Sequence, residues 1–120
     1  MITIELPWPS SDLSPNESVH YMVRARAVKQ AKHDAHWITM AHPDSDWPEY
    51  SGDLRATWAF YPPALYHYDE DNLVGRCKAY QDAICRALGV DDLQIKKTER
   101  WMGEVDRPNG RVVMTLEAMK

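Results

Sequence analysis

A chain of 120 residues with 44% hydrophobic and 27% charged side chains has the makeup of one globular domain, residues 1–120, with a modest core. Its formal charge of −4 argues against a protein that coats nucleic acid without selectivity, although a local basic surface remains compatible with it. The opening Met1-Ile2-Thr3-Ile4 lacks the basic and apolar regions of a signal peptide, and no window approaches the ~20 apolar residues of a membrane span. A cytoplasmic protein without membrane attachment is the expectation.

Ile2 to Leu6 alternates apolar and polar residues and predicts a first strand, stopped by Pro7 and Pro9. Pro7 to Asn16 is a proline-rich loop. Ser18, or Asn16 ahead of Glu17, is placed to cap a helix running to about Thr39, with Val19, Val23, Ala27, Ala31, Ala35 and Ile38 as its buried stripe. Its other faces carry Arg24, Arg26, Lys29, Lys32 and His33, the densest basic patch of the chain and by default a solvated face. His20, ahead of that patch, is a weaker candidate for a phosphate contact, and His33 with His36 for a shared metal that lacks a third ligand.

Ala41 to Asp53 reads as an irregular connection. Leu54 to Tyr61 alternates and predicts a strand ending at Pro62-Pro63. A second helix is expected from Asp71 to Gly89, with Leu73, Cys77, Tyr80, Ile84 and Leu88 facing inward and Gly89 at its C-terminus. Cys77 and Cys85 on that helix stand roughly 12 Å apart along its axis and stay thiols. Ile95 to Val105 and Arg111 to Ala118 predict two further strands, and Asn109-Gly110 between them is a hairpin signal. The fold class is therefore α+β, a mixed sheet packed by two helices in the order β-α-β-α-β-β.

The chemistry-bearing feature is a set of acids, Asp69 and Asp71 at one end of the second helix, Asp91 and Asp92 at the other. Like charges repel, so packing does not call for such a set, whereas a divalent cation, with its demand for hard oxygen ligands, does. Caps and turns compete with that reading. Asp71 could be a helix N-cap, and Asp91-Asp92 could occupy the turn after Gly89. A continuous helix of this length also spans roughly 27 Å, so the chain entering Ile95 must fold back along it for the acids to meet.

The run Leu6-Pro7-Trp8-Pro9-Ser10, then Asp69-x-Asp71-Asn72-Leu73, Lys78-x-x-x-Asp82-Ala83-Ile84 and Gly89-x-Asp91-Asp92-x-Gln94-Ile95, resembles the RusA-type Holliday-junction resolvases over nearly the whole chain. The resemblance implies a RusA-like fold and a homodimeric endonuclease of phage or prophage origin, with roles in DNA recombination and repair. It implies binding of branched DNA and symmetric phosphodiester cleavage of four-way junctions, dependent on Mg²⁺ with Mn²⁺ as a substitute. Asp69, Asp71 and Asp92 match the catalytic metal-binding acids and Asp91 the acid beside the last. Asn72 would orient a ligand carboxylate. Lys78 is the nearest match to the family's essential lysine, with Arg76 as the other candidate. In the best-known members that lysine stands one turn after the second acid, where this chain has Gly75, and the bland reading of Lys78 is a solvated ion pair with Asp82. DNA phosphates would fall to Arg24, Arg26, Lys29 and Lys32 and to Lys96, Lys97 and Arg100. The alternatives are a non-catalytic junction-binding prophage protein that has lost cleavage, and a small interaction protein in which the acids only cap helices.

Overall fold

The computed structural model describes residues 1–15, 18–45 and 52–119. Alternation decides the strands. In β1 (Ile2–Pro7) the side chains of Ile2, Ile4 and Leu6 are buried and their neighbours are exposed. β2 (Leu54–Tyr61) buries Leu54, Ala56, Trp58 and Phe60, and β4 (Arg111–Ala118) buries Val112, Met114 and Leu116. These rows form the sheet side of the core, against helices α1 (Tyr21–Met40), α2 (Glu70–Arg76) and α3 (Lys78–Leu88). Among the described residues no helix lies on the other sheet face.

Strand order is β1-β4-β2-β3, with β3 (Ile95–Met102) parallel to β2 and the remaining pairs antiparallel. β3 and β4 therefore flank β2 and do not form the hairpin expected from Asn109-Gly110. Burial explains the choice. β4 alternates strictly and gains from neighbours on both sides, whereas every residue of β3 after Ile95 is exposed, as suits an edge. The 103–110 connection instead crosses the end of β2, where Gly103 N–H donates to the Phe60 carbonyl (2.7 Å) and Asp106 N–H to that of Pro62 (2.8 Å). Gly110 takes φ 70° there, and a Cβ would stand 2.8 Å from the Pro63 nitrogen, so glycine is required. β3 ends at Met102, short of the expected Val105.

α1 is capped neither by Ser18 nor by Asn16, which lies outside the described residues, but by His20, whose Nδ1 accepts from Met22 N–H (3.2 Å). That bond engages one ring nitrogen of His20, and its ring stacks on Tyr21. Only Ala31, Ala35 and Thr39 are fully buried on α1, because its second half packs on α3 while Val23 is left exposed. The expected stripe thus holds over half its length. Alanines on both partners (Ala31 and Ala35, Ala79 and Ala83) keep that contact close.

The second predicted helix is two. Cys77, at φ −89° and ψ 1°, interrupts it, and its N–H turns to the Val74 carbonyl (3.0 Å). α3 ends at Gly89 (φ 71°) in a Schellman motif, with Val90 N–H bonded to the Cys85 carbonyl (2.8 Å). No helix among the described residues is long and apolar enough to cross a membrane.

Candidate functional site

α2 starts where Asp69, in extended backbone, turns its Oδ1 onto Asn72 N–H (3.2 Å). Asp69 is therefore the N-cap, and Glu70 and Asp71 fill the first turn, where the helix dipole favours negative charge. The Asp71 carboxylate is 76% exposed and forms an ion pair with Arg100. Arg100 lies on the helix side of β3, so the chain after Ile95 does fold back to the start of α2. The expected fold-back is met.

The other acids follow α3. Asp91 caps a 3₁₀ turn over Asp92–Gln94: its Oδ1 accepts from Leu93 N–H (2.9 Å), and Gln94 Oε1 accepts from Asp91 N–H (3.0 Å). Asp92 is half exposed, and its Oδ2 lies 3.8 Å from Lys78 Nζ, which also donates to Asp82 Oδ1 at 3.0 Å. The Asp82 hydrogen bond is the main cause of a raised Lys78 pKa, with Asp82 and Asp92 charges adding to it, so Lys78 is a cation throughout the neutral range. The i,i+4 pairing with Asp82 is thus present, and Lys78 also reaches one acid of the predicted set.

Asp71 is paired with Arg100 of β3 and Asp92 with Lys78 of α3, so the two acids have separate partners. Among the described residues no three His, Cys, Asp or Glu side chains converge to hold a metal ion. His33 and His36 are edge-to-face with Trp37 and gain no third ligand. As arranged, Asp69 serves its helix end, Asp71 serves Arg100 and Asp92 serves Lys78, so the donors present do not close a shell around one ion.

A polar relay holds α2 in place. Asn72 Nδ2 donates to Ser14 Oγ, Arg76 Nε to Asn72 Oδ1 (3.1 Å), Arg76 Nη1 to the Pro9 carbonyl (3.5 Å) and Arg24 Nη2 to that of Ser14 (2.9 Å). The Asn72 side chain therefore orients Ser14 and Arg76, while its backbone N–H holds the Asp69 carboxylate, and Arg76 and Arg24 act as struts. Gly75 has a packing reason too. A Cβ there would lie 2.6 Å from Pro15 Cγ, so the position one turn below Asp71 has no room for a lysine.

Arg26, Lys29 and Lys32 are exposed on α1, which packs toward β1, while Lys96 and Lys97 are exposed on β3 at the opposite sheet edge. Lys97 pairs with Glu99 (3.2 Å). Between α1 and α3 runs a groove of about 490 Å³ lined by Lys32, His33, His36, Trp37, Asp82 and Arg86. Arg86 was missed by the sequence reading, although Lys78, Asp82 and Arg86 recur every four residues on one row of α3. Arg100 was assigned to phosphate, and its tie to Asp71 needs the parallel pairing of β3.

Both cysteines are free and buried. Burial raises the Cys77 thiol far above its ordinary range and lifts Cys85, aided by the Asp92 and Asp82 charges, to about 11. Neither thiol should react with a disulfide reagent at pH 8 in the native protein, and both should react once it is unfolded. The unfolded chain loses these protons near pH 9 and the native chain does not, so stability should fall as pH rises above about 9.

No family model matches the chain. An uncharacterized protein of Xylella fastidiosa (strain Temecula1 / ATCC 700964) is 39% identical over 123 residues, covering 97% of this chain and 76% of that protein.

Proposed function

The chain belongs to the same family as that Xylella fastidiosa protein, and we propose that it is an endodeoxyribonuclease that resolves four-way DNA junctions, as a single RusA-like domain and a homodimer, dependent on Mg²⁺ or Mn²⁺. The observation that carries the reading is the pair of accessible acids, Asp71 and Asp92, that approach β3 from different elements and are each held by one base, Arg100 and Lys78. Asp71 and Asp92 would hold the metal, which would supply Lewis-acid activation of a phosphodiester and of water. For Asp71 and Asp92 to serve it, both ion pairs must open.

The remaining roles belong to the chain's own groups. Lys78, kept cationic by Asp82, neutralises charge that builds on a phosphoryl group near Asp92. Arg26, Lys29, Lys32 and Arg86, with the imidazoles of His33 and His36, supply a phosphate-binding surface on α1 and its groove. A cytoplasmic site of action and a prophage origin complete the proposal.

A second reading, a junction-binding protein without cleavage, is favoured by the absence of three converging donors among the described residues. A synthetic four-way junction with labelled strands separates the two. Paired, symmetric nicks that need Mg²⁺ support the resolvase. An intact but retarded junction supports the second reading, and an unbound junction removes both.

A further inference from the structure

The open face of the sheet ends in a recess of about 720 Å³ that none of the acids above enters. Strand register places Trp101 on that face beside Ala59 and Val113, two small neighbours that leave its indole uncovered, and the residue is 48% exposed. Tyr61 is held beside it. Its ring meets Trp101 edge-to-face at 5.9 Å, Arg111 lies 4.0 Å over its centroid, and Gly103 abuts it so closely that a Cβ would stand 2.4 Å from Cε1. Arg111 is in turn fixed by Glu5 (3.0 Å) and Asp106 (2.8 Å).

We infer that this recess takes an unstacked nucleobase, with Trp101 as the stacking surface, Tyr61 and Arg111 as its rigid wall, and the carboxylates of Glu104 and Asp106 as acceptors for an exocyclic amine. The size is in the range of small-ligand sites, roughly 300–1,000 Å³. Charge argues for a neutral ring inside it: Glu104, Asp106 and nearby Glu5 outnumber the single guanidinium and repel a phosphate. Phosphates would instead run toward Lys97 and Arg55, which share the open face roughly 13 Å along the strand from Trp101 and would exchange their partners Glu99 and Glu117 for them. An indole at the end of an open sheet suits a base of any sequence, and an acidic rim suits adenine, guanine or cytosine over thymine. The inference rests on the DNA reading above and extends it to a strand whose bases are unpaired, as at a branch.

The test uses a short single-stranded oligonucleotide with one internal 2-aminopurine and a terminal dye, titrated with the full chain. Anisotropy reports binding, and quenching of the 2-aminopurine reports stacking. Wild type and Trp101→Phe should bind and quench. Trp101→Ala should lose the quenching and weaken binding about five- to a hundredfold, the range for removing one base–aromatic stack. Glu104→Gln should narrow the preference for an adenine over a thymine at that position. Equal quenching by Trp101→Ala overturns the inference and leaves the resolvase reading standing if the four-way junction is still bound. A Trp101→Ala effect on self-association alone assigns Trp101 to an interface between copies and also overturns it. Failure of wild type to bind either DNA removes the resolvase reading and this inference together.

Discussion

Asp71→Asn is expected to fold and to bind a four-way junction as wild type does, while cleavage in Mg²⁺ falls by at least about a hundredfold. Asp71 caps nothing: the N-cap is Asp69, and the Asp71 side chain extends into solvent toward Arg100. Its structural contribution is limited to the helix dipole and an exposed ion pair, each worth about 1 kcal/mol or less. Stability and function are therefore separable at this position. They are less so at Asp69, although Asn is itself a good N-cap and Asp69→Asn should also keep the fold. Asp91→Asn serves as the control, since Asp91 is occupied in closing the 3₁₀ turn with Gln94. Single-turnover cleavage beside circular dichroism and a gel-shift titration measures all three. Wild-type cleavage by Asp71→Asn would remove the proposed role of the acids.

The largest effect on stability is expected at Trp58. It is 1% exposed on the helix side of β2, a central strand paired on both edges. Trp58→Ala leaves a cavity the surrounding strands cannot close, at a cost of about 3–5 kcal/mol in a urea titration. Trp58→Phe should cost clearly less. The buried Trp58 Nε1 has no acceptor among the described residues, and removing an unsatisfied donor returns about 1–3 kcal/mol against the lost bulk. Equal destabilisation by both changes would mean that the indole N–H is satisfied in solution.

The strands were readable because their information is local. Period-two alternation bounded by prolines defined Leu54–Tyr61, and the same alternation after Gly110 defined Arg111–Ala118; the observed ends agree. Pairing was not local. Asn109-Gly110 signals a hairpin, yet the exposed, charged β3 gains nothing from a central position, and β4 takes the place beside β2. The narrow stripe of α1 has the same origin: α3 against Ala31 and Ala35 is a contact between distant segments, as is Pro15 against Gly75.

The site divides in the same way. That Asp69 to Asp71 opens a helix and Asp91-Asp92 follows one was legible from spacing, as was the Lys78–Asp82 pair. The partners that set the charge balance, Arg100 for Asp71 and Lys78 for Asp92, depend on how β3 and the 3₁₀ turn return along the helices. Spacing along one helix cannot reveal a base carried on a parallel edge strand. The acids lie at the helix ends and the turn where spacing put them, but each has a base or a backbone donor where a shared ion was expected.

Crystals of the protein soaked in Mn²⁺ and measured at the metal's absorption edge test whether these carboxylates serve a cation. The resolvase account predicts an anomalous peak within ligand distance of Asp71 and Asp92, with Arg100 and Lys78 released from them. Unchanged Asp71–Arg100 and Asp92–Lys78 pairs, with no such peak in the protomer or between copies, would contradict it.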